Sequence, residues 1–116
     1  DFDALVAALN EPAPLDLRVN LLKAKREAAR AALAEAGIAA EPTPFSPWGL
    51  RVQGKPALQK AAPFLAGEVE VQDEGSQLLA LLTDAHRGEM VVDFCAGAGG
   101  KTLALGAAMR NTGRLY

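Results

Sequence analysis

The spacing of apolar residues changes several times along the chain, and each change marks an expected element. Phe2 to Leu9 has helical spacing, an amphipathic helix ended by Pro12 and Pro14. From Leu17 to Leu21 the period drops to two, which puts Leu17, Val19 and Leu21 on one face of a strand. Lys23 to Ala36 is rich in alanine and charge, with Leu22 and Leu33 on its apolar side and Gly37 as a C-terminal stop. Ile38 to Glu41 opens a second strand, broken by Pro42, Pro44 and Pro47. Gly49 to Gln53 is a third, closed by the turn Gly54-Lys55-Pro56. This β-α-β-β order predicts a small α+β lobe over residues 1–66.

A second unit is expected over residues 67–116. Glu68 to Gln72 alternates in the manner of an edge or surface strand. Asp73 is placed to cap a helix running to Ala85, with Leu78, Leu79, Leu81 and Leu82 as its buried side and Gly88 as its stop. Met90 to Cys95 has the β-branched, apolar character of a buried strand. Gly97, Gly99 and Gly100 form a turn, a packed helix starts near Lys101, and Gly113 to Tyr116 begins another strand. The fold class is α/β: the small lobe, then the truncated start of a Rossmann-like, doubly wound domain.

A strand, a glycine turn and a helix start together aim free backbone N–H groups and the positive helix end at an anion. Three spacings compete for this turn. A phosphate loop, Gly-x-x-x-x-Gly-Lys-Thr, fits Gly100-Lys101-Thr102, but its first glycine falls on Cys95. A dinucleotide fingerprint from Gly97 needs glycine where Thr102 stands. An acidic strand end at Asp93, followed by a small-residue turn cradling the methionine part of S-adenosylmethionine, fits every position. A loop that binds nothing is disfavoured by three glycines in four positions.

The run Asp93-Phe94-Cys95-Ala96-Gly97-Ala98-Gly99-Gly100-Lys101-Thr102 resembles the S-adenosylmethionine motif of the RNA cytosine-C5 methyltransferases. That motif usually reads Asp-x-Cys-Ala-Ala-Pro-Gly-Gly-Lys-Thr, so Gly97 and Ala98 replace its Ala-Pro pair. Leu17-Arg18-Val19-Asn20-Leu21-Leu22-Lys23 and Val71-Gln72-Asp73-Glu74-Gly75-Ser76-Gln77 are similar to the same family. The order and spacing of the three resemble its bacterial 16S ribosomal RNA branch. The resemblance implies a front lobe similar to an RNA-recognition fold and S-adenosylmethionine as cofactor. It implies a cofactor site on Asp93, Cys95, Ala96, Gly97, Ala98, Gly99, Gly100 and Lys101. The two catalytic cysteines it implies belong to later motifs that this chain does not contain, so no catalytic residue is assigned. Methylation of cytosine at C5 needs a thiolate to add to the ring; Cys95 matches the loop cysteine instead, and we expect it to be a small buried side chain.

Composition narrows the remaining choices. With 116 residues, half of them hydrophobic, the chain can build a core. A net charge of −2 argues against a strongly basic nucleic-acid binder. Positive charge is concentrated, however: Lys23, Arg26 and Arg30 fall at i, i+3 and i+7, with Arg18 on the preceding strand. These four are the expected phosphate contacts to RNA, ribosomal by the resemblance; the alternative is a solvated helix face beside Glu27. One cysteine excludes an internal disulfide and suits a reducing cytoplasm. No apolar run approaches a membrane span, and no His/Cys pattern suggests a metal. We expect a cytoplasmic monomer. Trp48 is expected in the core of the small lobe rather than stacked on a base, and His86 at a helix C-terminus. The chain begins without methionine and ends inside a strand, and we expect a piece of a longer enzyme, inactive alone. The competing classes are a nucleotide-binding module of the P-loop kind and a non-catalytic RNA-binding piece.

Overall fold

The computed structural model describes residues 1–116. Helix α1 (Phe2–Leu9) leads into strand β1 (Leu15–Val19), helix α2 (Arg26–Glu35), β2 (Ala40–Pro42) and β3 (Gly49–Val52). A single turn of 3-10 helix, Leu58–Lys60, precedes α3 (Ala62–Leu65) and β4 (Val69–Val71). Then come α4 (Glu74–Leu82), β5 (Met90–Val91), α5 (Gly100–Ala108) and β6 (Arg114–Leu115). Strands β1 to β4 form one antiparallel sheet in the order β2-β3-β1-β4, and β5 and β6 pair in parallel.

Cross-strand register explains the core. Leu15 faces Val52, Leu17 faces Leu50 and Val71, and Val19 faces Val69, so one face of the sheet is aliphatic. Ala29 and Leu33 of α2 and Ile38, Leu58 and Ala61 close over it. Helix α2 starts three residues later than its composition suggests and stops as expected. The N–H groups of Gly37 and Ile38 donate to the carbonyls of Ala34 and Leu33, the paired bonds of a glycine-terminated helix. Leu21 and Leu22 lie beyond β1 and are exposed.

The opposite face is polar, because the other residues of the same strands are charged. Asp16 stands across from Arg51, and Arg18 across from Glu70. The Arg51–Asp16 pair is two-pronged, at 2.8 and 2.9 Å. Arg18 is almost wholly buried and paired with Glu70. Burial pushes its guanidinium down, and Glu70 pulls it back only in part.

Two expectations change here. Residues 68–72 do form an edge strand, but β4 hydrogen-bonds to β1 and completes the front sheet, where a division at 66/67 had put it in the second unit. Helix α4 ends at Leu82, not Ala85, and turns a different side inward. Glu74, Gln77 and Ala80 are buried, while Leu79, Leu81 and Leu82 are exposed. The reason is hydrogen bonding, which holds α4 against the polar face. The Gln77 amide donates to the Leu17 and Gln72 carbonyls (3.2 and 2.8 Å) and accepts from the Ser46 hydroxyl (2.7 Å). One Glu74 oxygen accepts the N–H groups of both Phe45 and Ser46 at 2.7 Å.

Behind this junction Ala80, Ala85, Ala104, Leu105 and Met109 make a second, smaller core between α4 and α5. Trp48 packs against this second cluster rather than the core of its own lobe. His86 lies past the end of α4, exposed. Helix α1 has the expected bounds, yet none of its residues is buried.

Candidate functional site

Strand β5 delivers the chain to the glycine turn, and β6 braces it. Beyond the short ladder, the Asp93 N–H donates to the Tyr116 carbonyl at 2.8 Å and the Tyr116 N–H to Val91 at 3.0 Å. Asp93 is therefore fixed at the carboxyl end of a parallel pair, where open α/β sheets bind ligands. Its Oδ2 accepts the hydroxyl of Thr102, in the first turn of α5, at 2.6 Å. Thr102 is an addition to the cofactor residues expected from the motif. Its place as last residue of the motif was legible; its tie back to the strand end was not.

Between these anchors the backbone takes the left-handed region three times, at Cys95 (φ +66°), Gly97 (φ +61°) and Gly99 (φ +84°). Gly97 and Gly99 enter it without a Cβ clash, and Gly99 forms the N-cap of α5. Cys95 has no such freedom, and strain of roughly 1–3 kcal/mol at a non-glycine residue is characteristic of ligand sites. The side chain is exposed, contrary to the expected small buried cysteine, because this backbone turns it out of the strand.

The turn presents donors. Gly99 donates to the Ala96 carbonyl, whereas the N–H groups of Ala96, Gly97, Ala98, Gly100, Lys101 and Thr102 have no acceptor within the chain. Those of Gly100 to Thr102 open a nine-residue helix and carry its positive end. Gly100 and Lys101 line a cleft of about 450 Å³. Ala96, Ala98, Gly100 and Lys101 form one wall, and Asp16, Gln72, Asp73 and Ser76 the other. Asp73 caps α4 by accepting the Ser76 N–H at 2.8 Å. That bond holds its carboxyl below the usual aspartate range, with Lys101 contributing. Glu74, next in line, is pushed up by burial, but the N–H groups of Ser46 and Phe45 outweigh this and leave it lowered. The expected cofactor residues Asp93, Cys95, Ala96, Gly97, Ala98, Gly99, Gly100 and Lys101 thus share one turn, and the four from Cys95 to Ala98 are exposed.

The four cations expected to contact RNA are not brought to one surface. Arg18 is buried on the polar face beside Trp48 and Ala104 and Ala107 of α5, with α2 across the sheet from it. Lys23 donates to the Ala66 carbonyl (2.7 Å) and Arg26 to that of Ser46 (3.2 Å). Arg30 reaches the Ala40 carbonyl (2.9 Å) and both oxygens of Glu41 (2.7 and 2.8 Å). The i, i+3, i+7 spacing is real, but each side chain has an internal acceptor from a segment distant in sequence.

No group of three or more His, Cys, Asp or Glu side chains is placed to hold a metal ion. No helix is long and apolar enough to cross a membrane.

Known proteins resemble this chain in sequence and fold. Residues 1–59 match the family described as the Methyltr_RsmF/B-like, ferredoxin-like domain. The chain is 42% identical over 98 residues to ribosomal RNA small subunit methyltransferase B of Pasteurella multocida, covering 84% of this chain and 22% of that protein. It spans about a quarter of the length of the curated relatives it matches. Among solved structures, a methyltransferase homolog protein from Pyrococcus horikoshii superposes with a TM-score of 0.86 at 31% identity, over 95% of this chain and 36% of that one. NSun6 from Pyrococcus horikoshii, solved with SFG, gives a TM-score of 0.84 at 16% identity, over 94% of this chain and 52% of that one. At that identity the likeness is one of fold.

Proposed function

The chain belongs to the RsmF/B-like methyltransferase family through its ferredoxin-like domain, and from that premise we propose that the whole protein is an S-adenosylmethionine-dependent RNA methyltransferase. Its substrate in this reading is small-subunit ribosomal RNA, as for the relatives named above, methylated at C5 of a cytosine as the motif resemblance implies. This chain supplies the front lobe and the first part of the cofactor site. The family and the αβ order support a Rossmann-like continuation and a unit boundary just after Gln72, where the sheet ends and α4 begins.

The observation that carries the reading is how donors and acceptors are sorted around the turn. Unpartnered N–H groups at Gly100, Lys101 and Thr102 suit a carboxylate. Asp93 keeps one oxygen free after accepting Thr102, and suits an ammonium group. An amino-acid tail has both charges; a nucleoside triphosphate has only negative ones. Asp73 on the far wall opposes a polyphosphate, Asp16 there is already paired with Arg51, and Lys101 alone is too little to balance the ligand's charge. The residues present therefore fit the methionine end of S-adenosylmethionine, which when bound supplies an electrophilic methyl group.

Within that reaction these residues bind and orient. The first turn of α5 holds the carboxylate, Asp93 holds the ammonium, and the Thr102 hydroxyl keeps Asp93 aimed. Cys95 acts through its backbone turn, and the thiolate that adds to the ring comes from outside residues 1–116. For the front lobe, Lys23, Arg26 and Arg30 remain the RNA contacts of this reading, each exchanging an internal acceptor for a phosphate. Arg18 has a structural role instead.

The test uses the full-length protein, labelled S-adenosylmethionine and unmodified small-subunit ribosomal RNA. Label should appear in 5-methylcytosine, while the 116-residue chain alone should transfer none. Magnesium-dependent binding of a nucleoside triphosphate without binding of S-adenosylmethionine would overturn the assignment.

A further inference from the structure

We propose that Gln72 is a cofactor-binding residue: its side-chain nitrogen, carried from the front sheet, donates a hydrogen bond to the carboxylate seated on the first turn of α5. The inference rests on the reading of the turn as an S-adenosylmethionine site and adds a residue from the other lobe to it.

Gln72 is held rigidly from both sides. Its N–H donates to the Asp16 carbonyl at 3.1 Å, continuing the β4–β1 ladder. Its carbonyl accepts the buried Gln77 amide at 2.8 Å. The side chain is only 8% exposed, yet it makes no hydrogen bond of its own: Oε1 is shut in without a donor, and Nε2 has no acceptor. Buried amides are almost always bonded, and one left open calls for an explanation. Nε2 lies against Gly100, so close that a Cβ built there would stand 3.3 Å from it. The same side chain lines the cleft with Gly100 and Lys101, which carry free N–H groups. An anion held on those groups would meet Nε2 of Gln72 as a further donor and give this otherwise unbonded amide a partner. Glycine at position 100 is then needed for the approach of this amide as well as for the turn.

Calorimetry on the full-length protein separates the possibilities, with S-adenosylmethionine and its decarboxylated form as the two probes. Gln72→Leu should weaken S-adenosylmethionine about tenfold, the size of a lost hydrogen bond to a charged group. Decarboxylated S-adenosylmethionine lacks the acceptor, so its affinity should not change. Gln72→Glu sets a negative charge against the carboxylate, so it should weaken S-adenosylmethionine further while leaving the decarboxylated ligand as tight or tighter. If the leucine variant does not fold, the glutamate variant decides. Equal weakening of both ligands would mean that Gln72 only shapes the turn, and unchanged affinity for S-adenosylmethionine would mean that it touches nothing; either overturns the assignment. Failure of the wild-type protein to bind S-adenosylmethionine at all would instead overturn the reading beneath it.

Discussion

Replacing Glu74 by alanine should destabilise the fold by about 2–4 kcal/mol. The carboxylate is 8% exposed, and a single oxygen accepts the Phe45 and Ser46 N–H groups at 2.7 Å. A hydrogen bond to a charged acceptor is worth ~1.5–3 kcal/mol, and two bonds sharing one oxygen sum to less than twice that. Alanine removes both bonds and leaves the buried Ser46 donor unsatisfied. Glutamine keeps an oxygen in place and loses only the charge, so Glu74→Gln should cost about half as much. The assay is urea unfolding followed by Trp48, the single tryptophan, which packs against the second core behind this junction. With a slope of roughly 1.5 kcal/mol per molar urea, a 3 kcal/mol loss lowers the midpoint by about 2 M. Acid supplies an independent check. Because the folded carboxyl is held below its usual range, its contribution is complete above the ordinary glutamate value, about 4.3, and is lost as the pH falls through the lower folded value. The glutamine variant should lose this part of the acid sensitivity. An alanine variant within about 0.5 kcal/mol of wild type, or a glutamine variant as damaged as alanine, would refute the role given to these two bonds.

Gly99→Ala puts a Cβ at φ +84°, and should cost about 1–2 kcal/mol in a denaturant melt and weaken S-adenosylmethionine as the turn is distorted. Cys95→Gly relieves strain at φ +66° and should leave stability within about 1 kcal/mol, with methyl transfer by the full-length enzyme retained; loss of transfer would restore the thiol to the chemistry. Arg18→Ala should cost about 2–3 kcal/mol in the same melt, below the figure for a fully buried pair because Glu70 keeps 30% of its side chain in solvent. Changing Arg26 and Arg30 to Glu should weaken ribosomal RNA binding by the full-length protein and reduce the salt slope by about one per lost contact; an unchanged slope in filter binding would leave these two as fold-stabilising residues only.

What could be read from the sequence follows from how local each determinant is. Helix α1, strand β3 and the order strand, glycine turn, helix at residues 90–108 are set by neighbours in the chain, although the buried strand expected over Met90 to Cys95 is only Met90–Val91, with Met90, Val92 and Phe94 exposed. The alternation of Val69 and Val71 shows that they share a face, but not that their partners are Val19 and Leu17, fifty or more positions earlier. Periodicity likewise assigned the leucines of α4 to the inside. The deciding groups were polar, since Glu74 and Gln77 find partners at Phe45, Ser46 and Leu17 that no window around residue 74 contains. The spacing of the basic stripe on α2 is legible for the same local reason, but its acceptors at Ala40, Glu41 and Ser46 are not. Gln72 and Thr102 sat inside recognisable motifs, and only their neighbours in space give them a use.

The position of β4 bears on how this lobe could be transplanted. A chimera joined between residues 66 and 67 would take the lobe without its edge strand, exposing the hydrogen-bonding edge of β1 and the Val19 and Leu17 positions that Val69 and Val71 cover. A junction just after Val71 keeps the sheet but discards Glu74 and Gln77, leaving the N–H groups of Phe45 and Ser46 without partners. The transplantable unit runs through Ala80, carrying most of α4 with it. A donor lobe will be accepted only by a recipient whose glycine-turn helix packs on that segment as α5 does here.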